Sequence, residues 1–289
     1  MTTGAQARNG AVELAYERHG SGGEPLLLVS GLGVQLTFWP DGLLAEFTRA
    51  GFDVARFDNR DVGRSTALTS LGVPSLARML TRPRSAARYL LSDMAADAVA
   101  VLDALGWESA HVFGASMGGM IAQTLAIEQP SRVRSLISVM STTGPRIARP
   151  HLRAALALAT PPARTPEESA ERVVNTFRTI GSPGYPLDED YLRAYGREAF
   201  RRGRDPHGGR RQLAAILASP DRAAGLAGVT VPTLVLHGEQ DPLVPVSGGR
   251  ATAAAVPGAR LVTFPGMGHN LPRELWPQVA AEAAALANR

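Results

Sequence analysis

Gly114-Ala115-Ser116-Met117-Gly118 sets one serine between glycines, inside the run HVFGASMGGMIAQTLA from His111 to Ala126. A short β-like run precedes the serine and a helix-like run follows it. A strand that turns sharply into a helix leaves the residue between them strained, with its side chain pointing out of the turn. Gly114 and Gly118 leave room where Cβ atoms would collide with neighbouring backbone. The Met117 N–H then heads a helix, unpaired and aimed at developing negative charge. By itself G-x-S-x-G says little in a chain with 30 glycines, because a plain turn with a small N-cap residue reads the same way. Its flanks, and what the rest of the chain supplies, decide between the two.

A serine that attacks a carbonyl at neutral pH needs a base, an acid to hold that base, and donors for the oxyanion. Of the six histidines, His269 in FPGMGHNLP follows the apolar run RLVTF and precedes the last helical stretch. Glycines on both sides of Met267 let that loop carry an imidazole inward. His237 ends an apolar run and reads as structural; His111 begins the run that leads to the serine. His19, His151 and His207 fall in a hairpin and in the helical stretch described below. The acid is expected between serine and base, after another strand. Asp241 in HGEQDPLVP fits, with Pro242 fixing the turn and Glu239 as its rival. The loop SVMSTTG, the other place for such an acid, has no carboxylate. A second oxyanion donor is expected from Ser30-Gly31-Leu32-Gly33, after LLLV; the Leu32 N–H is preferred to that of Gly33.

These residues need a scaffold. Alternation in VELAYERH predicts a hairpin strand, followed by a turn at Gly20-Ser21-Gly22-Gly23 and a doubly buried strand over Leu26–Val29. Further strands are expected at Asp53–Phe57, Ala110–Phe113, Leu136–Val139, Thr233–Leu236 and Leu261–Phe264. Helices are expected at Gly42–Arg49, Asp93–Leu105, Met117–Ile127 and Pro277–Leu286. Strand–helix alternation argues for an α/β architecture with a mostly parallel sheet covered on both faces. Two segments break the rhythm. Thr66–Leu91 is Arg-rich, with Pro74 and Pro83. Residues 141–228 read as helices interrupted by TPPARTP and GSPGYP, since proline disfavours helix just before it. The expectation is a core of residues 1–140 and 229–289 carrying a helical cap of residues 141–228.

The 289-residue composition, 45% hydrophobic and 19% charged, suits one α/β core with an insertion. The absence of cysteine excludes disulfides and thiolate chemistry. All 30 basic positions are arginine, which lifts the isoelectric point although the net charge is only +4. The arginines are dispersed and lack interleaved aromatics, so no nucleic acid is expected. The clusters Arg82-Arg84-Arg88 and Arg201-Arg202-Arg204-Arg210-Arg211 are expected to be solvated. No apolar run nears the roughly 20 residues of a membrane span, and the N-terminus lacks a signal-peptide core. A cytoplasmic protein is expected, with a homo-oligomer left open.

The stretches VSGLG, FDNRDVGRS, VFGASMGGMIAQTLA, PTLVLHGEQDPLVP and PGMGHNLP together resemble the α/β-hydrolase superfamily across nearly the whole chain. The order Ser116…Asp241…His269 is the one expected of that fold. The chain is similar to a bacterial esterase branch that includes aclacinomycin methylesterase. Many members carry His-Gly where this chain has Ser30-Gly31, so the oxyanion loop is a variant. FDNRDVGRS resembles a loop kept near the nucleophile strand, and Asp58 and Arg60 are read there as structural. The resemblance implies a serine hydrolase that cleaves a small-molecule carboxylic ester, with an apolar portion, through an acyl-enzyme. Catalysis is assigned to Ser116, Asp241 and His269, with Leu32 and Met117 N–H groups as the oxyanion hole; no metal or cofactor is expected. Lactone, carbon–carbon and perhydrolase chemistry use the same residues, and a non-hydrolytic ligand-binding protein is the rival from another class. The cap stretches LRAALALAT and LAAILASP read either as walls of an acyl pocket or as helix-packing faces.

Overall fold

The computed structural model describes residues 4–20, 22–203 and 205–288. Ser21 of the glycine-rich turn and Arg204 of the second arginine cluster lie outside the described residues.

Apolar runs become strands where both faces are covered. Among the described residues eight strands form one sheet: β1 Ala5–Asn9, β2 Val12–His19, β3 Glu24–Val29, β4 Phe52–Phe57, β5 Ala110–Ala115, β6 Val133–Val139, β7 Thr233–Gly238 and β8 Arg260–Phe264. Their spatial order is β1-β2-β4-β3-β5-β6-β7-β8. The β1–β2 and β2–β4 pairs are antiparallel and every other pair is parallel. Strand β1 went unforeseen, because AQARN has no apolar pattern; VELAYERH is a hairpin strand, but its hairpin partner is β1, and β3 pairs with β4 and β5 instead.

Among the described residues there are twelve α-helices: α1 Asp41–Arg49, α2 Leu76–Thr81, α3 Pro83–Ala86, α4 Leu91–Leu105, α5 Met117–Glu128, α6 Leu152–Leu158, α7 Pro166–Ile180, α8 Glu189–Arg202, α9 Gly208–Ala218, α10 Ala223–Leu226, α11 Ser247–Ala255 and α12 Trp276–Ala287. Side chains alternate along β3. Leu27 and Val29 join the core under α4 and α5, whereas Leu26 and Leu28 join the core under α1 and α12. All four are fully buried, and each such burial stabilises by about 1.5–3 kcal/mol. A run with no polar side is what a strand sandwiched between two helical layers requires.

Among the described residues no strand falls between Val139 and Thr233; helices α6–α10 fill that interval. Their seam with the sheet corrects one expectation. Arg202 and Arg211 are not solvated but buried, each in an ion pair with an aspartate of the loop after β4. Arg82, Arg84, Arg88, Arg201 and Arg210 are exposed, as expected. In LRAALALAT the packing face is narrow: Ala154 is buried, whereas Leu152 and Leu156 are 74% and 61% exposed, one helical turn apart. In LAAILASP the alanines carry the packing, with Ala214, Ala215 and Ala218 buried.

Candidate active site

Strands β3 and β5 are parallel neighbours, and the loops that leave their carboxyl ends converge. This is where ligands bind in open α/β sheets. Ser116 lies between β5 and α5 with φ 56° and ψ −119°. Few non-glycine residues adopt a positive φ, and here the surroundings enforce it. The Ser116 N–H donates to the Val139 carbonyl at 2.9 Å. The Ser116 carbonyl accepts from the Ser141 hydroxyl at 2.8 Å. A Cβ on Gly114 would stand 2.2 Å from the Gly118 oxygen, and one on Gly118 would stand 2.0 Å from the Val29 oxygen. Both glycines are therefore required by close backbone approach.

The three candidate side chains, far apart in sequence, meet. His269 Nε2 is 3.0 Å from Ser116 Oγ, and His269 Nδ1 is 2.6 Å from Asp241 Oδ2. The Leu243 and Val244 N–H groups donate to Asp241 Oδ1 at 2.8 Å each. Asp241 thus keeps one oxygen for the backbone and presents the other to the imidazole. Glu239, the rival acid, accepts from Thr263 at the surface. His237 is buried, and its Nε2–H donates to the Val244 carbonyl at 2.8 Å. Burial holds its pKa below the ordinary histidine value, so it adds no charge beside Asp241.

The loop that bears His269 is fixed by α7, which sequence reasoning did not foresee. The His269 N–H donates to the Ile180 carbonyl at 2.7 Å, and the Gly268 N–H donates to Ser182 Oγ at 2.9 Å. A Cβ on Gly268 would stand 2.1 Å from the Gly181 oxygen. Gly181-Ser182 lies within GSPGYP, a stretch whose only visible signal was that it breaks a helix.

The Met117 N–H heads α5, where the first N–H groups of a helix lack an intrahelical carbonyl; the first donations within α5 run from Gly119 and Met120 to the Ser116 carbonyl. The loop after β3 lies over the serine: a Cβ on Gly31 would stand 3.4 Å from Ser116 Cβ and 3.8 Å from its Oγ. The Gly33 N–H is engaged, donating to Gln212 Oε1 at 2.8 Å. Ser30, where many family members have histidine, accepts from the Trp39 indole at 2.8 Å. The Asn59 side chain donates to the Ser30 carbonyl at 3.0 Å.

Asp58 and Arg60 sit behind this loop. Asp58 accepts from the Leu36 and Arg64 N–H groups and from Arg202. Arg60 forms a two-point pair with Asp97 at 2.6 and 2.8 Å. Asp58 ties its own loop to the loop after β3 and to α8, and Arg60 ties it to α4, which fits the structural role read for both.

A family model described as the alpha/beta hydrolase fold matches residues 24–272. The chain belongs to the α/β-hydrolase family. Within that family it is 31% identical over 288 residues to rhodomycin D methylesterase DnrP of Streptomyces peucetius, covering 90% of each chain. It is 35% identical over 180 residues to a pimeloyl-[acyl-carrier protein] methyl ester esterase of Chromobacterium violaceum, covering 60% of this chain and 68% of that one. The enol-lactonase of Burkholderia xenovorans LB400 has the same fold, with a TM-score of 0.75 at 22% identity, covering 99% of this chain and 100% of that one. Among the described residues no helix is long and apolar enough to cross a membrane.

Proposed function

We propose that this α/β hydrolase cleaves small-molecule carboxylic esters through an acyl-enzyme formed on Ser116. The observation that carries the reading is the unbroken relay from Ser116 Oγ to His269 at 3.0 Å and from His269 to Asp241 at 2.6 Å. Ser116 Oγ attacks the ester carbonyl as His269 Nε2 takes its proton. Asp241 keeps the Nδ1 proton facing itself, which leaves Nε2 as the acceptor, and it stabilises the imidazolium. The N–H groups of Met117 and Leu32 hold the oxyanion, each such donor being worth about 3–4 kcal/mol in the transition state. Since the Gly33 N–H already has a partner, Leu32 is the better donor of the two in that loop. His269 then returns the proton to the leaving alcohol, and water repeats the steps on the acyl group. No step calls for a metal or cofactor.

Residues 141–228 serve in this reading as a cap over the site, borne on the core of residues 1–140 and 229–289. The two relatives named for methyl ester cleavage support a small alcohol, and the reading keeps an apolar portion on the acyl group. The reading includes a cytoplasmic setting, in keeping with a chain that contains no cysteine.

Turnover of p-nitrophenyl butyrate by the native chain, lost in Ser116→Ala, is the expected result. A panel of methyl esters, lactones and carbon–carbon substrates then ranks the chemistries open to one triad. Tight binding of esters without turnover of any would replace the enzyme reading with that of a ligand-binding protein.

A further inference from the structure

Gln212, on α9, is fully buried, yet it touches the loop beside the serine. Its Oε1 accepts from the Gly33 N–H at 2.8 Å, and its Nε2 donates to the Arg60 carbonyl at 2.8 Å. One side-chain amide therefore ties the loop after β3 to the loop after β4. Arg60 is itself clamped by Asp97 and by the Asp93 carbonyl, so the far end of the tie is rigid.

Gly31 to Val34 forms a turn closed by the Val34 N–H on the Gly31 carbonyl at 3.3 Å. Gly33 occupies its third position with φ 68°, the conformation that glycine supplies in a type II turn. The peptide between Leu32 and Gly33 can rotate in such a turn, exchanging its N–H for its carbonyl. Gln212 opposes that exchange. Because Nε2 is committed to the Arg60 carbonyl, only Oε1 faces the turn, and Oε1 accepts an N–H but repels a carbonyl.

We infer that Gln212 is a positioning residue for the oxyanion hole: by anchoring the Gly33 N–H it pins the turn one residue beyond Leu32, and so holds the loop that carries the Leu32 N–H against Ser116. The inference rests on the hydrolase reading. It assigns a role in the reaction to α9, outside the core strands that bear the other groups. Misplacing a donor costs rate without costing substrate affinity, because the oxyanion exists only along the reaction path.

The test compares Gln212→Met, which keeps the volume, and Gln212→Ala, which admits water, with the native chain. The expected result is a kcat for p-nitrophenyl butyrate lowered about tenfold to a hundredfold in both, with KM within about twofold. Benzeneboronic acid, which forms a tetrahedral serine adduct with an oxygen in the hole, should lose affinity by a similar factor. The pH midpoint of kcat should not move, since the relay is intact. An unchanged kcat in Gln212→Met, or a lowered kcat with unchanged boronate affinity, overturns the assignment. Ser116→Ala is run alongside. If it keeps native turnover the hydrolase reading itself fails, whereas a dead Ser116→Ala beside a fully active Gln212→Met refutes only the role of Gln212.

Discussion

The guanidinium of Arg202 donates to the carboxylate of Asp58 at 2.8 Å, and both side chains are buried. One residue ends α8; the other opens the loop after β4. A second pair runs parallel to it. Arg211 on α9 grips Asp61 with two hydrogen bonds, at 2.9 and 2.7 Å. Helices α8 and α9, which reach the loop after β3 through Tyr195 and Gln212, are thus latched to the loop after β4 by charge as well as by packing.

Removing one partner of a buried pair leaves an uncompensated charge, and that costs more than the pair itself contributes. Arg202→Met should lower stability by about 3 kcal/mol in urea unfolding at pH 7. Adding Asp58→Asn to that variant should recover part of the loss, because the stranded carboxylate is gone. A loss within about 0.5 kcal/mol would mean that the pair is solvated in practice.

Asp241→Asn separates orientation from fold. The Leu243 and Val244 N–H groups require an acceptor, so the asparagine oxygen turns to them. Its NH2 then faces His269 Nδ1, which must accept, and the ring proton moves to Nε2. That tautomer cannot take a proton from Ser116. The expected outcome is a kcat reduced about 10³- to 10⁴-fold with an unchanged circular dichroism spectrum.

Glycine requirements can be ranked by what a methyl group would meet. Gly118→Ala drives a Cβ to 2.0 Å from the Val29 oxygen and 2.9 Å from the Ser30 oxygen, backbone atoms that cannot swing aside as a side chain can. It should cost more than about 3 kcal/mol or abolish soluble expression. Gly22→Ala meets nothing within 4 Å and should change the melting midpoint little.

Glu17 gives the molecule a pH signature away from the site. His19 beside it and the Arg56 guanidinium at 2.8 Å hold its pKa down at about 2, against an ordinary 4.5. A depressed carboxylate stabilises the fold fully above the unfolded value. That stabilisation is lost as pH falls from 4.5 towards 2. Glu17→Gln should be less stable than the native chain by about 1 kcal/mol at pH 7, allowing for solvent screening. Urea titrations should show the gap closing as the pH is lowered from 5 to 3. A gap that is constant with pH would mean that Glu17 acts by packing rather than charge.

Much of this arrangement was legible in the residues. Leu26–Val29 and Ala110–Phe113 read as strands because a doubly covered strand has no polar face. Ser116, Asp241 and His269 stood out because each follows such a run, on a loop marked by glycine or proline. Three things were not legible. AQARN is a strand only because β2 lies beside it, and edge pairing leaves no apolar pattern. Helix α11, SGGRATAAA, lacks the apolar stripe that marks the other core helices. Arg202, Arg211 and Gln212 look like surface residues in a charged stretch. What buries them is Asp58, Asp61 and the Gly33 N–H, which sequence separation conceals.

Labelling with a p-nitrophenyl alkylphosphonate tests the proposed nucleophile most directly, because the reagent needs an activated serine and an oxyanion hole at once. One equivalent should attach to the peptide containing Ser116, with esterase activity falling in step and no label on Ser116→Ala. Full turnover after stoichiometric labelling, or a label carried by another residue while activity disappears, would contradict Ser116 as the attacking group.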